Sequence, residues 1–301
     1  MKIYFGIIGF TLLVGLGSAW ANPGGLEQAD ALIMAGKYSA CLKVLEKDLA
    51  AAATAAEKVE ILWRLSRAAY FAAEQDRNRT DDAALVSRGN EKGAAYAEQA
   101  VKLDGRSAQA YFWRSANWGS WAQQNPNLSA LPKLNLAKDD LIRALSLQPD
   151  FPDAYYALGS LYANVPGWPV SFGNKEFGVS LLRRAIDTIG AKKEILRGYI
   201  ALADVLWERN WNSGTRKNRQ VQMKAVFDKK AAPVEKYCYY EGAIDYNRVS
   251  EYAKRSLSSL SDREEARLLL DYAEKQITRM VPSNEERDAL RHAIVRVRKK
   301  W

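Results

Sequence analysis

An all-α fold, a solenoid of antiparallel helical hairpins, is what this sequence predicts, and three observations predict it. Apolar residues recur at spacings of three and four along nearly every segment after the first two dozen residues. Strand signals are almost absent. A pattern of small and aromatic residues also returns at a period of about 34, the length of one helix–turn–helix unit.

The repeat is clearest between Ala137 and Tyr162. Ala137, Leu141, Ala144 and Pro149 are followed in register by Tyr155, Leu158, Gly159 and Tyr162. The first four match the end of one tetratricopeptide unit and the last four the opening W-x2-L-G-x2-Y of the next. The physical reason for the spacing is close approach. Small side chains at Ala137, Ala144 and Gly159 let helix backbones come together, ring and leucine side chains fill the space between hairpins, and Pro149 ends a helix. Weaker copies occur at Trp63 to Tyr70, at Ala97, Ala100 and Gly105 leading to Tyr111 and Trp118, and at Tyr199, Leu202, Ala203 and Leu206. The first unit is read from Gly36, Tyr38, Cys41 and Leu45. The expectation is a right-handed solenoid of about four or five divergent tetratricopeptide hairpins with inserted loops and C-terminal capping helices.

Residues 1–21 have the layout of a cleaved secretory signal: Lys2, an apolar run from Ile3 to Leu16, and small residues at Ala19 and Ala21. The run is short for a membrane span, and no cysteine stands at the cleavage site to carry a lipid. The expected location is the periplasm. The helical-repeat region is placed at 26–210 and a basic C-terminal region at 211–301, with helices expected at Asn247 to Leu260, Arg263 to Met280 and Glu285 to Trp301. Cys41 and Cys238 are the only cysteines. An oxidising compartment permits a bridge between them, and Cys41 equally fits a small, buried helix-contact position.

The 301-residue chain carries a net charge of +9. After an export signal this points to acidic partners, anionic ligands or a membrane surface rather than to nucleic acid. The basic stretches Arg216 to Arg219 and Arg296 to Lys300 are the candidates for such contact, beside an ordinary solvated face. Enzymatic chemistry has little support. The one histidine, His292, stands beside Arg291, no G-x-S-x-G surrounds a serine, and neither cysteine has a partner at zinc-ligand spacing. Neither a metal nor a cofactor is expected. The carboxylate pairs Asp139–Asp140 and Glu264–Glu265 are read as helix-start residues that favour the dipole.

Aromatic side chains are the richer signal. In "YFWRSANWGSW" the spacing directs Tyr111, Trp118 and Trp121 toward neighbouring helices and leaves Phe112 and Trp113 for another face. If the first helix of each hairpin lines the concave groove, the groove positions are Arg64 and Ala68, Phe112 and Ala116, Tyr156 and Ser160, and Asp204 and Trp207. Such a groove suits a small hydrophobic ligand with one carboxylate held by Arg64. The turn "NVPGWPVSFGNKEFG", Asn164 to Gly178, is far longer and more apolar than a hairpin needs. Trp168 and Phe172, stiffened by Pro166, Gly167 and Pro169, are expected either to fold over the groove rim as a lid or to cap their own hairpin.

The segments "ILWRLSRAAY", "AYAEQAVKLDGRSAQAYFWRSANWG" and "DAYYALGSLYANVPGWPVSFGNKEFGVSLLRRAI" resemble the periplasmic T-components associated with TRAP transporters, over roughly Glu60 to Glu208, with "PGWPVSFGNK" the most specific element. The resemblance implies an all-helical, non-enzymatic binding protein that works beside a transporter's solute receptor. The C-terminal third departs from the pattern. A cell-envelope scaffold that binds peptide segments of protein partners in its groove is the alternative.

Overall fold

The computed structural model describes residues 23–190, 192, 194–244, 259–281 and 283–301. The expected signal peptide and the expected helix at Asn247 to Leu260 fall almost wholly outside them. Among the described residues the regular structure is helical, and the chain divides into two compact units at Pro149/Asp150. This division does not coincide with the boundary at 210/211 suggested by the loss of repeat register.

The first unit holds α1 (Pro23–Met34), α2 (Tyr38–Ala51), α3 (Ala55–Arg79), α4 (Ala83–Leu103), α5 (Ala108–Gln124) and α6 (Leu131–Leu147). Each helix packs on the next in sequence, making three successive hairpins. The starts are written locally. Thr54 accepts from Glu57 N while Glu57 reaches back to Thr54 N, Asp82 accepts from Leu85 N, and Ser107 accepts from Ala110 N. Gly36, at φ +69°, makes the left-handed turn between α1 and α2. The core is alanine-rich where helices are closest: a methyl at Gly93 would collide with the Asn117 side chain.

The second unit holds α7 (Pro152–Asn164), α8 (Lys175–Ile189), α9 (Ile195–Arg209), α10 (Ser213–Phe227), the short α11 (Pro233–Tyr237), α12 (Asp262–Met280) and α13 (Asn284–Arg298). Here α7 pairs with α8 as the repeat requires. A Cβ on Gly159 would meet Leu182 and the Gly178 carbonyl at 3.0–3.1 Å. α9, however, takes as its main partner α12, which begins more than fifty residues later. Leu202, Leu206, Leu269, Leu270 and Ile277 share one core there, which Ile294 of α13 completes. The predicted helices at Arg263 to Met280 and Glu285 to Trp301 therefore exist, and they close the apolar face of α9.

These are tetratricopeptide-like helical repeats. Ala137, Leu141 and Ala144 are buried on α6, and Tyr155, Leu158 and the close contact of Gly159 lie on α7. Three expectations need correction. In α5, Phe112 and Trp113 are the buried rings, whereas Tyr111, Trp118 and Trp121 are half-exposed. The helix is covered by α3 and α4 as well as α6, so its buried stripe is wider than one face, and Trp113 meets Tyr70 and Phe71 at 5.7 Å. Asp139 and Asp140 lie in the middle of α6, not at a helix start; Asp140 instead receives both prongs of the Arg114 guanidinium, at 2.6 and 2.8 Å. Arg216 is 1% exposed rather than offered to a membrane, because it belongs to a buried ion cluster.

Candidate functional site

The loop between α7 and α8 is built in two tiers. At its base the backbone is closed: Gly173 N donates to Pro166 O at 2.9 Å, Asn174 N to Tyr162 O at 2.8 Å, and Gly167 pairs with Gly173. A side chain at Gly173 would run into the carbonyl oxygens of Val165 and Pro166, so glycine is required by close approach. Asn174 caps α8 by accepting from Glu176 N and Phe177 N. Edge-to-face rings continue the base inward, with Phe172 on Tyr162 at 5.6 Å, Tyr162 on Phe177 at 5.6 Å, and Phe177 on Tyr239 at 5.3 Å.

The upper tier is the tip. Gly167, Trp168, Pro169 and Val170 stand in solvent, with Trp168 90% and Val170 54% exposed and a cis peptide joining Trp168 to Pro169. The lid expectation is thereby corrected: Phe172 folds down onto its own hairpin, and Trp168 points out into solvent. Proline, glycine and the closed base hold the tip in shape, so an exposed indole is presented on a stiff mount at little further entropic cost.

The other predicted site residues are already engaged within the chain. Arg64 Nη1 lies 2.6 Å from Glu60, its Nε 3.3 Å from Asp30, and its guanidinium stacks 4.1 Å from the Trp63 ring. Asp30 also pairs with the buried Arg67. Phe112 is 1% exposed and packs edge-on against Trp113, so it faces the core of the first unit and not an open groove. Ala68 and Ala116 are buried with it. In the second unit Tyr156 is half-buried against the α9–α12 core, and burial raises its phenol. Asp204 accepts from Lys300 Nζ at 2.5 Å, and the Trp207 ring lies parallel to Trp301 at 4.2 Å. Arg64 and Phe112 thus belong to the first unit, and Tyr156, Trp168, Phe172, Asp204 and Trp207 to the second.

Sequence reading missed the most strongly charged feature. Arg183, Arg209 and Arg216 meet Glu241, Asp262 and Glu265 in the interior of the second unit. Arg183 grips Glu265 at 2.8 and 2.9 Å, Arg209 grips Asp262 at 2.8 and 2.9 Å, and Arg216 reaches Glu265 at 2.6 Å and the Leu260 carbonyl at 3.0 Å. Burial by itself would raise the carboxyls; the surrounding guanidinium groups outweigh it, holding Glu241 well below the usual range and Glu265 at about 2. No spacing signals a cluster whose members lie up to 82 positions apart. Burial pushes the Cys41 thiol up to about 11 and Cys238 up to about 12, and both cysteines are free. His292 is exposed on α13. No group of three or more metal-ligating side chains occurs among the described residues, and no helix among them is long and apolar enough to cross a membrane.

A family profile described as "Regulator of microtubule dynamics protein 1-3" matches residues 25–168, just under half of the chain. No characterised protein sequence matches. Among solved structures, TTC0263, a thermophilic TPR protein of Thermus thermophilus, aligns at 17% identity and a TM-score of 0.47 over 83% of this chain and all of its own. MamA aligns at 17% identity and a TM-score of 0.38, over 75% of this chain and 97% of its own.

Proposed function

We propose that this chain is a non-enzymatic helical-repeat scaffold that docks another protein through the loop carrying Trp168. The observation that carries the reading is the 90% exposed indole mounted on a closed, glycine-dependent base. A large rigid aromatic offered to solvent costs solubility unless something buries it, and tryptophan is the residue most enriched where a few side chains supply most of the binding energy. The matched family is named for regulators of microtubule dynamics; what this supports for the present chain is the coarse part of the reading, a protein partner.

The finer form of the proposal is an accessory protein exported to the periplasm and serving beside the solute receptor of a TRAP-type transporter. It rests on the leader-like layout of residues 1–21 and on the "PGWPVSFGNK" turn. A small carboxylated ligand is the weaker variant, since Arg64, the cation it requires, is committed to Asp30 and Glu60.

The test is photo-cross-linking in the native host with p-benzoylphenylalanine at position 170, one peptide unit beyond Pro169. A discrete cross-linked partner is expected. Trp168→Ala should weaken its capture by about 30-fold or more, the loss typical of a central aromatic anchor. The same variant should leave the melting temperature within about 2 °C, because the side chain touches little of its own protein. Cross-linking that is absent, or indifferent to Trp168→Ala, overturns the reading.

A further inference from the structure

The α9 face that carries Asp204, Trp207 and Glu208 is not empty; the chain's own Lys300 and Trp301 lie on it. Lys300 Nζ is 2.5 Å from Asp204 Oδ2 and 3.8 Å from Glu208 Oε1. Trp301 stacks on Trp207 at 4.2 Å with the ring planes 12° apart. The guanidinium groups of Arg263 and Arg267 add their charge at 4.6 and 5.2 Å from the same Trp207 ring. Glu208 also meets Lys175 Nζ at 3.2 Å through its second oxygen, so Asp204 is the principal acid of the surface. An aromatic platform next to that carboxylate, with Glu208 at its margin, is a recognition surface for a basic residue followed by an aromatic one.

Two buried atoms show that the resident pair does not use the whole surface. Asp204 Oδ1 has no hydrogen-bond partner among the described residues, and neither does Trp301 Nε1. Lysine offers a point charge to one carboxylate oxygen. A guanidinium offers two parallel donors and would satisfy both. The contact is also only partly shielded, since Lys300 and Glu208 each keep more than a third of their side-chain surface in water. A pair held this way opens at modest cost compared with a buried one.

We propose that Asp204, Trp207 and Glu208 form a peptide-docking site for an arginine–aromatic pair on a partner protein, and that Lys300–Trp301 is its built-in, displaceable occupant. This site is separate from the Trp168 loop and stands or falls independently of it. Binding at α9 would require the resident pair to leave, so the full chain would display only the fraction of its sites that is open.

The test uses two fluorescein-labelled peptides, Arg-Lys-Lys-Trp, which is the sequence of residues 298–301, and Arg-Lys-Arg-Trp, with affinity read by fluorescence anisotropy. The proteins are the full chain, a chain ending at Lys299, and the full-length double variant Lys300→Ala/Trp301→Ala, which keeps the α13 backbone. Removing the resident pair by either route should tighten peptide binding by about tenfold or more, as expected when about a tenth or less of the sites are open at rest. The arginine peptide should bind about fivefold or more tighter than the lysine peptide, through the second carboxylate oxygen. Trp207→Ala in the opened background should remove binding. Equal affinity in closed and opened chains, no binding to an opened chain that keeps its helical circular dichroism, or no preference for arginine would overturn the proposal. Unfolding of both opened chains would show that the pair is a structural staple, and would overturn it equally.

Discussion

The first unit is assembled from neighbours, the second from strangers. From α1 to α6 each helix packs on the one that follows it, and polar groups between helices are tied by neutral bonds, by pairs such as Arg114–Asp140, and by one group in which Asp30 of α1 holds Arg64 and Arg67 of α3. Asn117 Nδ2, for instance, donates to the Ser66 carbonyl, the Ser66 hydroxyl and the Trp113 carbonyl at 2.9–3.2 Å. In the second unit α9 finds its main partner in α12, and six ionised side chains from α8, α9, α10, α12 and the turn at Glu241 join in the interior. Repetition can build a stack of hairpins one at a time. Closing the last apolar face here takes elements far along the chain, and a charge network joins those same elements in the interior.

The largest expected effect that would sharpen this contrast is at Glu265. Glu265→Ala leaves Arg183 and Arg216 without their main counter-charge, and removing one partner of a buried pair costs about 3–5 kcal/mol. Hydrogen exchange followed by mass spectrometry should show that loss in α8, α9, α10 and α12, with α1 to α5 unchanged. Loss spread evenly through both units would break the distinction.

Acid should separate the units next. Glu241 and Glu265 are depressed in the folded chain, so the stability they contribute is present above the usual carboxylate range and is lost as the pH falls toward about 2. In the first unit burial raises Glu74 and Asp140 despite Arg77 and Arg114, so protonating these two does not destabilise it. Limited pepsin digestion near pH 3 should therefore cut the second unit first; first cuts within α3 to α5 would contradict the assignment. The smallest effect is Asn117→Ala, which removes the two Nδ2 N–H donors shared among three acceptors and should cost about 1–2 kcal/mol, confined to the first unit and read by urea denaturation.

The Trp168 loop and the ion cluster also differ in how visible they were in the sequence. A turn that sets two prolines, two glycines and two large rings between Val165 and Asn174 is conspicuous between helices, because local chemistry has to explain it. Its direction was not visible. Trp168 stands outward while Phe172 meets Tyr162 in the base, and that ring contact is continued by Phe177 to Tyr239, which a distant segment contributes. Arg216 and Lys300 looked like solvated basic residues because their partners, Glu265 and Asp204, are 49 and 96 positions away.

The sequence by itself determined the helices, their caps and the hairpin repeat, since these depend on contacts within one or two turns and on side-chain size at fixed spacing. Only the tertiary structure decided that α12 covers α9, that Arg183, Arg209 and Arg216 are interior, and that Asp204 and Trp207 are already occupied. Those outcomes turn on which distant carboxylate or ring reaches a given residue, and periodicity carries no information about that meeting.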